Sequence, residues 1–181
     1  NDDSRVREFI FTPESRANQH PIENLFQIRE SPTEPGLYFG VDAPEFATHA
    51  AGQIVTLSGA PDLNPDLMVV EHITHPDTAD ASDNPAPAHS GLYRSPVPLA
   101  NGELLAVHTY ETRADRNEGS RAEPVSRYDF RITMLNREGD YFVPDEPLTG
   151  GISKTIWWWD PDVRVDYSGV LWELNPVEVR A

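Results

Sequence analysis

The chain has 181 residues, 14 Lys and Arg against 30 Asp and Glu, a formal net charge of −16 and no Cys. That composition excludes disulfides, zinc–thiolate and iron–sulfur centres and a covalent c-type haem on this chain. The negative charge repels phosphate backbones and anionic lipid, so neither nucleic acid nor a membrane surface is an expected partner.

Seventeen Pro exclude a mainly helical protein, because Pro breaks helix interiors. No apolar run approaches the ~18 residues of a membrane-spanning helix. The chain begins at Asn1 rather than Met. It ends in a strand-like stretch, Val170–Ala181 (VLWELNPVEVRA). Both ends lead us to expect a segment of a longer, exported polypeptide, periplasmic or extracellular.

Strand signals run through the chain. Arg7–Phe11, Leu25–Ile28, Leu37–Val41, Gln53–Leu57 and Met68–Ile73 are short apolar or alternating runs bounded by Pro, Gly, Asn or Asp. Tyr93–Leu99, Leu104–Thr109, Tyr128–Leu135 and Tyr141–Val143 follow, then Thr155–Trp159 and Val170–Val179. Tyr128–Leu135 alternates with a period of two, which puts Tyr128, Phe130, Ile132 and Met134 on one face. Asn101-Gly102 lies between two apolar runs, a strong hairpin signal, and Gly139 suits the turn before Tyr141. His75–Ser90 and Thr112–Ser126 are aperiodic and read as long loops.

Gln53–Leu57, Phe130–Leu135 and Gly169–Leu174 read as one strand repeated in successive units. Ile132 and Leu171 are 39 residues apart; Ile54 and Ile132 are 78 apart, with both long loops between them, so a single enlarged unit is expected there. Units of about 40–50 residues with four short strands predict β-propeller blades. Gly91–Thr149 is the most complete unit, with another before it and part of one after it. The predicted fold is all-β, a single propeller segment over residues 1–181 with about two to three blades. That is too few to close a ring of ~4–8, so further blades or other protein chains are the expected partners.

Gly91–Thr109 (GLYRSPVPLANGELLAVHT) resembles a blade opening of bacterial exported propellers of the WD40-like, PD40/TolB type. Gly36–Gly59 and Leu171–Arg180 extend the resemblance to propeller proteins related to the hydrazine synthase alpha subunit. It covers most of Gly36–Ala181 and implies fold rather than chemistry. In those relatives the chemistry resides in c-type haems attached through Cys-containing motifs. The resemblance therefore implies a haem-free propeller portion, with no cofactor on this chain and a place in a redox, cytochrome-containing assembly.

Several residues are candidates for a site. His49, His72, His75 and His89 supply imidazoles suited to zinc or copper; ordinary hydrogen-bonding histidines at loop edges would look the same. Asp115, Asn117 and Glu118 resemble the start of a calcium loop, although Gly119 stands where a third oxygen ligand belongs. The alternative is a solvated acidic loop.

Trp157-Trp158-Trp159 is the most unusual string. In a strand Trp157 and Trp159 share a face and Trp158 takes the other. The pair is expected in an inter-blade core and the odd one at an interface, while a sugar-stacking role stays open. Arg94 and His108 are candidates to line a central channel.

No nucleophile elbow, phosphate loop or dinucleotide fingerprint is present. The expected function is interaction or scaffolding. The alternatives are a propeller hydrolase or lyase, completed by further blades and using His49, His72 or Arg94, and a carbohydrate-binding module.

Overall fold

The computed structural model describes residues 22–60, 62–63 and 67–179; the predicted strand Arg7–Phe11 lies outside them. The chain is all-β. β1 (Leu25–Glu30), β2 (Leu37–Asp42), β3 (Gln53–Ser58) and β4 (Val69–His72) form one antiparallel meander. β5 (Leu92–Pro98), β6 (Leu104–Thr109), β7 (Arg131–Glu138) and β8 (Tyr141–Pro147) form a second, and β9 (Ile152–Asp160) with β10 (Val163–Leu171) makes a two-stranded ribbon. Two four-stranded sheets in succession, neither closed, are blades of an incomplete propeller. No described helix is long and apolar enough to cross a membrane.

The turns form where the sequence places them. Gly102 takes φ +88°, and the Asn101 side chain accepts from the Glu103 amide at 3.0 Å. Gly139 takes φ +61° between β7 and β8. A Cβ would be strained at both positions, so the hairpins depend on glycine.

Burial is nearly continuous along β5 and β6, because both faces of the second sheet are covered. One face presents Tyr93, Leu104, Ala106 and Leu135 to Ile54 and Phe39 of the first sheet. The other carries Leu92, Val107, Tyr128, Phe130 and Ile132, and Trp172 packs against it. Phe130 stands edge-on to both Tyr128 and Trp172, with ring centroids 5.1 Å apart in each pair. Each such side chain stabilises the fold by roughly 1.5–3 kcal/mol through burial.

Three expectations need correction. Tyr128 and Phe130 are buried as predicted, but they precede β7, which begins at Arg131. Val170–Val179 is not one strand: β10 ends at Leu171, and Trp172–Val179 leaves the ladder. The Trp172 indole donates to the Tyr128 carbonyl at 2.8 Å, and the Glu173 amide donates to the Phe130 carbonyl at 2.8 Å. Sealing the second sheet takes precedence there over extending the ribbon. Gly169–Leu174 is consequently no third copy of the repeated strand. Gln53–Leu57 and Phe130–Leu135 do correspond, because β3 and β7 each stand third in their sheet.

The first strands of the two sheets share an irregularity. Each ladder shifts register once, after Phe26 in β1 and after Arg94 in β5. The next residue is left-handed in both, Gln27 at φ +53° and Ser95 at φ +47°. The Gln27 side-chain carbonyl accepts from the Ser95 amide at 2.7 Å, and the Ser95 hydroxyl donates to Asn175 at 3.4 Å. Asn175 is itself left-handed at φ +52° and is followed by Pro-Val, as Ser95 is. A non-glycine residue in this region costs about 1–3 kcal/mol, so packing around the bulges must hold them.

Candidate functional site

The ribbon is the most exposed large apolar feature among the described residues. Every residue of β9 is exposed, with Trp157 at 59%, Trp158 at 41% and Trp159 at 62%. The alternation is as expected: Trp157 pairs with Asp166 and Trp159 with Arg164, while Trp158 pairs with Val165. The environment is not as expected, because the Trp157–Trp159 pair is not core. Trp172, rather than the ribbon, packs against the second sheet.

Trp158 belongs to the face that also carries Val165, which is 2% exposed. On the opposite face the Arg164 guanidinium covers Trp157 at 5.0 Å, held by Asp166 at 2.8 Å. Such a contact contributes about 0.5–1 kcal/mol at an exposed site.

The ribbon is fixed in place by the 112–126 loop. The Arg121 guanidinium bonds the Asp160 backbone carbonyl, reaches the Asp160 carboxylate at 3.3 Å and reaches that of Asp162 at 2.9 Å. The Asp166 amide donates to the Ala122 carbonyl at 2.8 Å. Sequence reasoning missed Arg121, since nothing in a charged loop distinguishes a docking Arg from a solvated one.

The four histidines do not converge, and among the described residues no group of three or more His, Asp and Glu is placed to hold a metal ion. His49 contacts the Asp115 carboxylate at 2.8 Å and stands edge-on to Trp172. His72 is in β4, opposite Val55. His75 accepts from the Asp77 amide at 3.1 Å, opening a 3-10 turn at Pro76–Thr78, and packs on Tyr141. His89 contacts the Asp80 carbonyl at 3.0 Å and accepts from the Gly91 amide at 3.2 Å. His75 and His89 close local turns, His49 reaches a carboxylate 66 residues away and His72 lies in a strand, which scatters the set.

The calcium expectation fails for a related reason: the loop consumes its own oxygens. Asp115 accepts from the Tyr128 amide at 3.2 Å and contacts His49. The Asn117 side-chain carbonyl accepts from the Gly119 and Val125 amides at 3.0 and 2.9 Å. Glu118 accepts from Arg127 at 2.9 Å. These bonds fold the loop on itself and leave no shared cradle.

Arg94 and His108 do not line one channel. They sit on opposite faces of the second sheet. Arg94 lies over Phe130 at 5.5 Å, on the face toward Trp172. Burial pulls its pKa below the ordinary arginine value. His108 packs against Tyr93 and Tyr110 and is 2% exposed; its Nε2 donates to the Ser90 carbonyl at 2.8 Å. Burial pulls its pKa down to about 4, so the imidazole is neutral at neutral pH.

His108 forms part of the wall of a cavity of about 300 Å³, together with Tyr110, Arg127, Asp129 and Arg131. Arg131 is committed to the Thr149 carbonyl at 2.6 Å and to Glu173 at 3.4 Å. Burial acts to raise the Glu173 pKa. Bonds from Thr149 and the Ile132 amide, with Arg131 beside it, outweigh burial and hold the carboxyl below its ordinary value. The cavity walls are thus cross-linked charges that stabilise the sheet.

No family model matches the chain, and no curated protein or solved structure matches it either.

Proposed function

We propose that the chain is a non-catalytic interaction or scaffold segment of an exported bacterial β-propeller protein of the PD40/TolB type. By its resemblance to hydrazine synthase alpha subunit relatives, it would serve a redox, cytochrome-containing assembly. Other chains, or further blades of the same polypeptide, would be its partners. The observation that carries this reading is the ribbon: three consecutive Trp lie exposed on a strand that Arg121 pins in place. An exposed aromatic patch on a fixed support costs little ordering on association, as interface hot spots require.

Hydrogen exchange on the chain alone and on the native assembly containing it tests the reading. Amides of Ile152–Asp160 should gain protection in the assembly, and acrylamide quenching of the ribbon Trp should fall. Unchanged exchange and quenching would refute the interaction role.

Carbohydrate binding is the second reading, because Trp159 presents an uncovered indole on the same face as Trp157. Glycan-array binding that is lost in Trp159→Ala would select it.

A further inference from the structure

We propose that the ribbon pairs with the ribbon of a second copy of this chain, β9 against β9, to build a continuous four-stranded sheet. The inference deepens the interaction reading and rests on it.

Among the described residues β9 is bonded to β10 alone, so one of its edges is open. The outer edge of β10 is in use, since the Asp166 amide donates outward to the Ala122 carbonyl. Asp166 faces Trp157 in the ladder. An Asp166 amide that points outward makes this a non-hydrogen-bonded pair, and the backbone groups of Trp157 then point to the open edge of β9. By alternation, so do those of Ser153, Thr155 and Trp159.

An open edge of nine residues is an invitation to strand addition. Proteins ordinarily blunt such edges with Pro, with several charges or with a covering element. β9 carries only Lys154 and Asp160, one near each end.

Those two charges specify the occupant. Place a two-fold axis at Trp157, so that Trp157 faces its own copy as a hydrogen-bonded pair. Thr155 then faces Trp159, Ile156 faces Trp158, and Lys154 faces Asp160, at both ends of the interface. Aliphatic Ile156 and β-branched Thr155 meet aromatic rings and positive meets negative, as favourable cross-strand pairs require. Lys154 has no salt-bridge partner of its own among the described residues. Asp160, already beside Arg121, is 56% exposed at its side chain and open to a second cation.

The chain as a whole is strongly acidic, but the ribbon is nearly neutral. It holds Lys154 and Arg164 against Asp160, Asp162 and Asp166. The rest of the charge is screened beyond a Debye length of about 8 Å at physiological salt. The result is an isologous contact, in which one patch meets itself.

Sedimentation equilibrium on the full chain tests this, with Lys154→Glu, Asp160→Lys and the double swap. Wild type should dimerise reversibly. Each single reversal should weaken the dimer about tenfold, since two symmetric pairs turn from attractive to repulsive. The double swap should restore it to within about threefold. Exchange protection in the dimer should fall on the Ser153, Thr155, Trp157 and Trp159 amides.

A monomer at every concentration overturns the inference, as does a dimer that ignores Lys154→Glu or a double swap without rescue. If the chain is monomeric but the ribbon is protected in the native assembly, a different partner covers β9. The interaction reading then survives and the self-pairing does not.

Discussion

The second sheet and the ribbon are both antiparallel and joined by tight turns, yet their side chains meet opposite conditions. In the sheet, alternate residues disappear into two cores, and even His108 and Thr133 are buried. In the ribbon the nine residues of β9 all remain in contact with solvent, including three Trp. The difference lies in what covers each face. Two stacked layers bury the sheet, whereas one Arg and a loop hold the ribbon from a single side. A strand's composition therefore says how much apolar area it offers, and its neighbours decide whether that area stabilises the chain or awaits a partner.

The largest test of this contrast is Phe130→Ala. Removing a ring wedged between Tyr128, Trp172 and Arg94 should destabilise the protein by about 3–5 kcal/mol, read by urea unfolding. An effect below about 1 kcal/mol would mean that the sheet's outer face is not core.

The next test uses pH. His108 titrates near 4 when folded and near its ordinary 6.5 when unfolded, so the unfolded chain takes the proton first as pH falls. Its contribution is complete above about 6.5 and is lost on the way down to about 4, on the order of 3 kcal/mol at most. Unfolding free energies between pH 7 and pH 4 should show this slope, and His108→Asn should flatten it. Glu111 marks a lower window. Arg113 bonds both of its oxygens and draws its pKa down to about 2, so its contribution begins to fall as pH drops through the ordinary carboxylate value of 4.5 and is gone near 2.

The smallest effect belongs to the ribbon. Trp157→Ala should change stability by only about 0.5–1 kcal/mol, the worth of its contact with Arg164. If that variant unfolded the chain, the ribbon would be structural and the contrast would collapse.

Legibility in the sequence follows the same division. Strands of the two sheets are readable because burial on both faces makes Leu104–Thr109 and Gln53–Leu57 short, nearly continuous buried runs bounded by turn residues, and because Asn101-Gly102 fixes a turn chemically. The segment around Tyr128 and Phe130 kept the period of a strand while lying outside one, since only the packing direction is encoded there. β10 was mostly missed. Val163–Gly169 faces solvent on one side and the loop on the other, so its pattern carries little burial. The histidine and acidic-loop candidates do not assemble because residue type reports what an atom can bind and says nothing of the nearer amides, carboxylates and guanidinium groups that occupy most of them. Arg121 depends on residues 39 and 41 positions away, and the Gln27–Ser95–Asn175 string on residues 68 and 80 apart, beyond any local pattern.

That string has a consequence for how such a chain can vary. Gln27 and Ser95 are separated by 68 residues and Ser95 and Asn175 by 80, yet each bulged residue bonds the next. The joints sit on the first strand of each sheet and on the segment that seals the last one. Material inserted between them, whether the 75–90 loop or the whole tryptophan ribbon, leaves the joints unchanged. The connections between these joints can therefore lengthen without altering the bonds at the joints themselves, and the ribbon lies within one such connection.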